Sequence, residues 1–275
     1  IQSMTNTDTR DVDATAAQIL RLEEAGCEIV RASVYDMDCA KAIGPIKRRI
    51  HIPLVADIHF DYKLALAAIE NGVDKLRINP GNIGSAAHVR EVTAAAKEHG
   101  VPIRIGVNGG SLHKDLLKKY GGPTPEALVE SALSHVALLE AEGFYDTVIS
   151  IKSSDVATTV AANRLLSEKV DYPLHLGVTE AGAGEQALIK AAAGLGTLLL
   201  SGIGDTVRCS ITGDPVEEPR AAMNILRAIG LRKEGVEVVS CPTCGRCRVD
   251  LAAIVEQVKA ALPKTKIPLK LAVMG

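Results

Sequence analysis

The chain is poor in aromatic side chains. It contains no Trp, two Phe and five Tyr among 275 residues, although hydrophobic residues make up 47 % of the sequence. A folded core must therefore consist mainly of Ala, Val, Ile and Leu. Such a core suits a parallel β-sheet that is buried on both faces.

The sequence also lacks a long apolar run and a strong net charge. Its longest weakly polar stretch, 191–204, is too short and too rich in Gly to span a bilayer. A formal net charge of −2 gives no reason to expect nucleic acid as a partner. The first residues show neither an initiator Met nor the features of a signal peptide. We therefore expect no membrane association, and a chain that was trimmed at its N-terminus.

Cysteine is scarce, and half of the six cysteines are scattered. Cys27, Cys39 and Cys209 have no partner nearby in the sequence, which is typical of reduced core thiols in a cytoplasmic protein. Cys209 lies between two polar residues of a predicted strand and should face away from them. We therefore predict a core position for Cys209.

Strand and helix patterns alternate strictly up to residue 230. Runs typical of strands cover 1–4, 27–34, 53–58, 75–79, 102–107, 147–152, 173–178 and 205–211. Helical patterns follow them at 12–25, 36–50, 61–71, 85–99, 124–142, 155–170, 184–200 and 214–230. This order predicts an α/β protein with a TIM (β/α)8 barrel. An open doubly wound sheet would need a Gly-rich phosphate turn after its first strand, and 4–8 is not one.

Two details of this assignment stay open. Residues 197–200 could form the last strand, but 205–211 alone keep polar side chains at the strand end. The segment 109–123 is long for a connection and is bracketed by Gly pairs. This length is typical of a lid over an active site, and equally of an inserted surface turn.

Polar side chains close together in the sequence mark the ends of seven predicted strands. Residues i and i+2 of a strand point to the same face, and the carboxyl ends of barrel strands carry the chemistry of this fold. The pairs are Arg31 and Ser33, Asp57 and His59, Arg77 and Asn79, Arg104 and Asn108, Lys152 and Ser154, Thr179 and Glu180, and Arg208 and Ser210. Four arginines and one lysine at one end of a nearly neutral chain predict an anionic small-molecule substrate.

Other titratable residues near these ends receive structural interpretations. We expect Asp57 to orient the arginines rather than transfer a proton, and His59 to contact phosphate. His175 begins its strand too early to reach the mouth of the barrel, so a structural role is favoured. His135 lies within a helical pattern and carries no functional signal.

After residue 230 the pattern changes. A strand is predicted over 234–240, a tight loop over 241–247, a helix over 250–262, a turn over 263–268 and a strand over 269–274. About 45 residues are too few for an independent core. We therefore predict a barrel domain over 1–231 and an incomplete second domain over 232–275.

The loop of the second domain holds the other three cysteines, Cys241, Cys244 and Cys247, at spacings of three. Thiolates at this spacing bind soft centres such as iron–sulfur clusters or zinc. Structural zinc would need a second pair of ligands, and none follows; a redox dithiol would begin a helix in a βαβ unit. An iron–sulfur cluster with at least one ligand outside this chain explains the pattern best.

Ordered motifs along the whole chain resemble one enzyme family. They lie at 2–7, 57–60, 77–82, 104–108, 175–182, 202–206 and 240–246. In this order they are similar to the 4-hydroxy-3-methylbut-2-enyl diphosphate synthases of the methylerythritol phosphate route to isoprenoids. The resemblance implies a TIM barrel followed by a smaller α/β domain with a 4Fe–4S cluster. It also implies a homodimer that reductively opens 2-C-methyl-D-erythritol 2,4-cyclodiphosphate with electrons from ferredoxin or flavodoxin.

The resemblance assigns roles to individual positions. The residues that match the diphosphate-binding positions of the family are Arg31, His59, Arg77, Arg104, Asn108, Lys152, Thr179, Arg208 and Ser210. Glu180 matches an acidic residue near the substrate and is the candidate proton donor. Cys241 and Cys244 match two of the three cluster cysteines, whereas Cys247 matches no ligand position.

The chain departs from the family pattern at its end. The family's third Cys and its Glu ligand lie in a segment that begins Val-Met-Gly-Cys, and this chain ends in Val-Met-Gly. We therefore expect a fragment that folds and binds the cyclic diphosphate weakly, but holds no stable cluster and has no reductase activity alone. The competing interpretation is a non-redox barrel for a phosphorylated or pterin-like ligand, similar to dihydropteroate synthase, with structural zinc at the Cys loop.

Overall fold

The computed structural model describes residues 1–233, 235–263, 265 and 267–275. They form two compact units, Ile1–Ile225 and Leu226–Gly275. From the sequence we had expected the boundary at residue 231. The assignment of substrate binding to the first unit and of a cluster to the second stays a prediction.

Eight strands alternate with helices over residues 1–228, all of which are described, and the last of these helices crosses the boundary between the units. The strands are β1 Gln2–Met4, β2 Ile29–Ser33, β3 Leu54–Asp57, β4 Lys75–Ile78, β5 Ile103–Asn108, β6 Thr147–Lys152, β7 His175–Leu176 and β8 Thr206–Val207. The helices are α1 Val12–Glu24, α2 Met37–Lys47, α3 Tyr62–Glu70, α4 Ala86–His99, α5 Lys114–Tyr120, α6 Pro125–Ala141, α7 Val156–Ser167, α8 Gly184–Leu200 and α9 Glu217–Ala228. This order confirms the predicted barrel architecture, and residues 197–200 are helical rather than the last strand.

Parallel pairing follows the chain order. Strands β1 to β6 form one sheet, β7 pairs with β8, and a bridge between Ile149 and Leu174 joins β6 to the segment before β7. Side chains connect the first strand to the last elements: Ser3 Oγ donates to Glu218 Oε2 at 2.7 Å, and Arg208 Nη1 lies 3.7 Å from Met4 Sδ. Side chains thus link β1 to the last strand and helix of the barrel.

The core is aliphatic, as the composition predicts, and its largest fully buried side chains are Ile and Leu, among them Ile19, Leu54 and Ile103. Cys209 is fully buried, which confirms its predicted core position. Helix starts are capped as expected: Asp11, Asp61, Thr124 and Asp155 each accept a backbone N–H in the first turn of their helix.

The connection at 109–123 is more ordered than the sequence indicates. It contains a short 3₁₀ turn, Gly109–Ser111, and then α5, which has seven residues. Lys119 Nζ and Tyr120 Oη both contact Glu130 of α6, at 2.6 Å each. Seven residues span about two helical turns, so the hydrophobic period was too short to reveal α5.

The second unit contains β9 Val236–Ser240, α10 Leu251–Ala261 and β10 Leu269–Val273. Strands β9 and β10 are parallel, with Val236 opposite Leu269 and Ser240 opposite Val273. These elements agree with the predicted ones, apart from residues 234, 264 and 266 of the predicted strand and turn, which lie outside the described residues. None of the helices in the described part of the chain is long and apolar enough to cross a membrane.

Candidate active site

The carboxyl ends of the barrel strands surround a cavity of about 80 Å³. It is lined by Arg31, Arg77, Gly106, Val107, Asn108, Lys152, Thr179, Arg208 and Ser210. The strand register brings them together, because Arg77 lies opposite Asp57 and Arg104, and Asn108 lies opposite Lys152. Seven of the nine residues predicted to bind the diphosphate therefore share one wall.

Asp57, at the end of β3, orients two of the arginines. Its Oδ1 accepts a hydrogen bond from Arg77 Nη1 at 3.1 Å, and its Oδ2 lies 3.5 Å from Arg31 Nε. Burial alone would raise the pKa of Asp57, but the charges of Arg31 and Arg77 hold it below its usual value. This geometry fits the orienting role that we expected for Asp57.

Two glycines leave room for cationic side chains. A Cβ atom at Gly106 of β5 would overlap the Arg77 guanidinium, and one at Gly177 would lie 2.7 Å from Lys152 Nζ. Arg77 Nη2 uses the space to donate to the Gly106 carbonyl at 3.1 Å. Any larger residue at these positions would displace the cation that it faces.

Arg208 is held by a carboxylate that sequence reasoning missed. Glu218, which is 3 % exposed, accepts from Arg208 Nε at 2.9 Å and from Arg208 Nη2 at 2.8 Å. Its Oε2 also accepts from Ser3 Oγ. Such a bidentate pair fixes the plane of the guanidinium and leaves Nη1 for other contacts.

Arg104 lies deeper in the barrel than we expected. It stands two residues before Gly106 on the same face of β5, is 3 % exposed, and is not part of the cavity lining. Its Nη1 donates to Gln2 Oε1 on β1, whereas its Nε and Nη2 have no hydrogen-bond partner among the described residues. Burial, together with Arg31 and Arg77, lowers the pKa of Arg104 well below its usual value.

Lys152 contacts a histidine that had been given only a structural role. Lys152 Nζ lies 3.2 Å from His175 Nε2, and His175 Nδ1 lies 2.8 Å from Thr206 Oγ1. Burial lowers the pKa of Lys152 well below its usual value, and Arg31 and Arg208 lower it further. His175 begins its strand, but the length of the Lys152 side chain brings the two nitrogens together.

His59 and Glu180 lie outside the cavity wall. The His59 side chain is 53 % exposed, with Nδ1 at 3.4 Å from Arg77 Nη1. Glu180 is exposed and has φ +52°. In the described part of the chain it is the one residue other than glycine with a positive φ. A left-handed backbone at a non-glycine residue stores strain and is common at functional sites.

The second unit presents the cysteine loop between β9 and α10. Cys241 is half-buried and Cys244 is exposed, and the Cys241 N–H donates to the Val273 carbonyl at the end of β10. Hydrogen bonding from the Arg246 backbone N–H lowers the pKa of Cys244 and favours its thiolate. Among the described residues no three Cys, His, Asp or Glu side chains form a group that could hold a metal ion. The loop could therefore supply cysteine ligands to a soft metal centre, but the described residues do not form a full set of ligands.

Comparison with known proteins identifies the family. Residues 1–223 match the GcpE TIM-barrel domain, and residues 237–275 match the GcpE protein C-terminal domain. The chain belongs to the GcpE family.

Two relatives of this family are similar over the whole chain. The chain is 62 % identical to the 4-hydroxy-3-methylbut-2-en-1-yl diphosphate synthase (flavodoxin) of Caldanaerobacter subterraneus subsp. tengcongensis, covering all of its own 275 residues and 78 % of that protein. It is 60 % identical to the protein of the same name from Clostridium perfringens, again over all of its length and 79 % of that protein.

A solved structure outside the GcpE family shares the fold. Yersinia pestis dihydropteroate synthase superposes with a TM-score of 0.55 at 12 % identity, over 84 % of this chain and 90 % of that one. A likeness at this identity shows the barrel fold alone. It does not favour the interpretation as a pterin-binding barrel.

Proposed function

We propose that the chain catalyses the reductive ring opening of 2-C-methyl-D-erythritol 2,4-cyclodiphosphate to 4-hydroxy-3-methylbut-2-enyl diphosphate, a step in isoprenoid precursor biosynthesis. The identity of 62 % over the full chain to a protein named as this synthase carries the proposal. The cationic cavity supports it, because a cyclic diphosphate spreads negative charge over several oxygens, and arginine forks bind such oxygens well.

In this proposal the cavity wall binds the diphosphate. Arg31 and Arg77 are held by Asp57 and Arg208 by Glu218, so their guanidinium groups are oriented before the substrate arrives. The other proposed contacts are Asn108, Lys152, Thr179 and Ser210 on the wall and His59 at the rim. Arg104 is buried beneath the cavity, and its positive charge would attract the diphosphate from there.

Glu180 is the proposed catalytic acid. It directly follows Thr179, which lines the cavity. Its backbone has a left-handed conformation in the segment after β7. A carboxylic acid there would donate the proton with which the substrate oxygen leaves as water. The exposed position of Glu180 gives it access to protons from solvent.

The proposed cofactor is a 4Fe–4S cluster, with Cys241 and Cys244 as two of its ligands. Such a cluster supplies electrons one at a time at low potential, which the reductive removal of oxygen requires. Flavodoxin, named for the relatives, is the proposed electron donor, with ferredoxin as the alternative. The homodimer and the cytoplasmic location stay predictions of the sequence.

The test separates binding from turnover with two variants. Arg77→Ala should weaken binding of the cyclic diphosphate by about 1.5–3 kcal/mol, the value of a lost charge-assisted hydrogen bond. Glu180→Gln should bind normally but lower kcat by roughly 10²–10⁴-fold. Binding is measured by calorimetry on residues 1–275. Turnover is measured after anaerobic reconstitution of the chain joined to the additional residues of the Caldanaerobacter relative, 78 % of which the match covers. Wild-type affinity in Arg77→Ala or wild-type turnover in Glu180→Gln would refute the assigned role.

A further inference from the structure

Three side chains on neighbouring strands form a hydrogen-bonded chain that leads from the cavity into the core. Lys152 of β6 lines the cavity, His175 of β7 is fully buried, and Thr206 of β8 lies beyond it. The distances are 3.2 Å from Lys152 Nζ to His175 Nε2 and 2.8 Å from His175 Nδ1 to Thr206 Oγ1. Both ring nitrogens of His175 are therefore engaged, one with a titratable amine and one with a hydroxyl.

This chain has two complete hydrogen-bond patterns. If Lys152 is an ammonium, it donates to His175 Nε2, and the ring proton on Nδ1 is donated to Thr206 Oγ1. If Lys152 is a neutral amine, His175 Nε2 carries the ring proton and donates to Nζ, while the Thr206 hydroxyl donates to Nδ1. The imidazole stays neutral in both patterns, and only its tautomer differs. Lys152 can thus gain or lose a proton while both ring nitrogens of His175 stay paired.

The charges around Lys152 favour its neutral form in the empty cavity. The groups that face it from the surrounding elements are Arg31, Arg77, Arg104 and Arg208, the carboxylates Asp57 and Glu218, and His175. Both carboxylates already pair with arginines, and the contact that Lys152 makes is with a nitrogen. Arginine does not release its proton in proteins, whereas lysine does so readily when buried. Lys152 is therefore the cation of this cluster that can relieve the repulsion.

We infer that Lys152 is neutral in the empty cavity and takes up one proton when the cyclic diphosphate binds, while His175 changes tautomer and Thr206 reverses its hydrogen bond. This inference rests on the proposed function. The proton comes from solvent and forms one N–H bond on Lys152, and the ring proton of His175 moves from Nε2 to Nδ1. His175 and Thr206 are positioning residues, since they act through Lys152.

Proton uptake is measured by titrating residues 1–275 with the cyclic diphosphate in buffers of different ionisation enthalpy at one pH near neutrality. Each phosphate of this ligand carries a single, strongly acidic hydroxyl, so the ligand itself neither takes up nor releases a proton there. We expect close to one proton taken up per bound ligand. In Lys152→Arg, which is always charged, the uptake should vanish. Binding of the wild-type chain without proton uptake would contradict the inference alone.

A second measurement tests Thr206. Thr206→Val removes the partner of His175 Nδ1 in both hydrogen-bond patterns, so the variant should unfold at a lower urea concentration than the wild type, with and without the cyclic diphosphate. Thr206→Ser should restore the wild-type midpoint. Thr147→Val is the matched control, because Thr147 is a buried strand residue whose hydroxyl has no hydrogen-bond partner among the described residues. An equal loss in both valine variants would overturn the role of Thr206.

The tautomer itself is observed by nitrogen NMR of ¹⁵N-histidine-labelled protein, which distinguishes protonated Nδ1 from protonated Nε2. Adding the cyclic diphosphate should exchange the two signals of His175, identified by their absence in His175→Gln. An unchanged tautomer in the saturated protein would refute the inference and leave the proposed function intact. A chain that does not bind the cyclic diphosphate at all would contradict both.

Discussion

Glu218 controls the geometry of Arg208 from outside the cavity. Its two oxygens hold the guanidinium, and Ser3 Oγ and the Ile211 N–H occupy the remaining acceptor positions. The neighbouring Glu217 is exposed and pairs with Arg220 on the same helix. Both glutamates stand side by side in the sequence, so no local pattern distinguishes the buried one from the exposed one.

Replacing this carboxylate should leave a buried arginine without its counter-charge. We expect Glu218→Gln to lower the free energy of unfolding by about 3 kcal/mol, which is typical of a broken buried ion pair. Glu217→Gln should change it by less than about 0.5 kcal/mol, because its pair is exposed. Urea denaturation of both variants measures the difference. The cyclic diphosphate should restore part of the stability of Glu218→Gln, since an anion can pair with Arg208. Equal midpoints for the two variants would count against the role of Glu218.

At the scale of elements, helix α6 supports the turn that follows β4. The Gly81 N–H of this turn donates to His135 Nδ1 on α6 at 3.0 Å, and His135 is 3 % exposed. Asn79, just before the turn, accepts the Gly106 N–H with its side-chain oxygen. The turn after Arg77 is thus tied both to a helix and to the neighbouring strand.

The burial of His135 makes stability depend on pH. Burial, and to a smaller extent His113, lowers the pKa of His135 to about 4, whereas an unfolded histidine titrates near 6.5. Between these values the unfolded chain binds more protons, so stability falls as the pH is lowered, by at most about 1.4 kcal/mol per pH unit from this group. Above the pKa of an unfolded histidine, His135 is neutral in both states and does not make the free energy of unfolding depend on pH.

Urea denaturation between about pH 7 and pH 5 measures this dependence. His135→Gln should reduce it, because an amide oxygen can still accept the Gly81 N–H but does not titrate, while the buried His175 keeps its own share. His99→Gln, at an exposed helix end, is the control and should keep the wild-type dependence. If His135→Gln lost stability with falling pH as steeply as the wild type, the pH dependence would have another source.

The elements were predictable where their period was long enough. Strands β1 to β6 and the long helices could be predicted from the hydrophobic period and from capping residues. Asp155 at the start of α7 is an example of such a capping residue. For α5 the pattern was too short. The polar pairs revealed which face of each strand is functional, but not the depth of a residue along the barrel axis. This is why Arg104 was expected in the cavity wall, although it lies beneath the wall.

At the scale of the whole molecule, the two units carry different parts of the proposed chemistry. The barrel unit contains the cationic cavity, and the second unit contains the cysteine loop. Cys247 of this loop donates its thiol proton to the Val249 carbonyl, at 3.2 Å. Cys241 makes a similar contact with the Pro242 carbonyl, so the expectation that Cys247 is no cluster ligand stays a prediction.

Cysteine variants test the division of labour. Cys241→Ser and Cys244→Ser should abolish the broad absorbance near ~400 nm that an iron–sulfur cluster gives after anaerobic reconstitution, because a hydroxyl is a poor ligand for this iron. Cys247→Ser is the matched control and should keep the absorbance. The measurement uses the chain joined to the additional residues of the Caldanaerobacter relative. Affinity for the cyclic diphosphate should stay unchanged in all three variants. Loss of the cluster in Cys247→Ser, with Cys241 dispensable, would reverse the ligand assignment.

The contacts of β1 determine when this barrel can finish folding during its synthesis. Ser3 meets Glu218, which is 215 positions later in the chain, and Met4 meets Arg208. A ribosome releases the N-terminal strand long before it has made these partners, and such long-range contacts form slowly. Until residue 218 emerges, the nascent chain exposes one open edge of its sheet. An unpaired sheet edge of this kind can pair with other chains, so aggregation would start there.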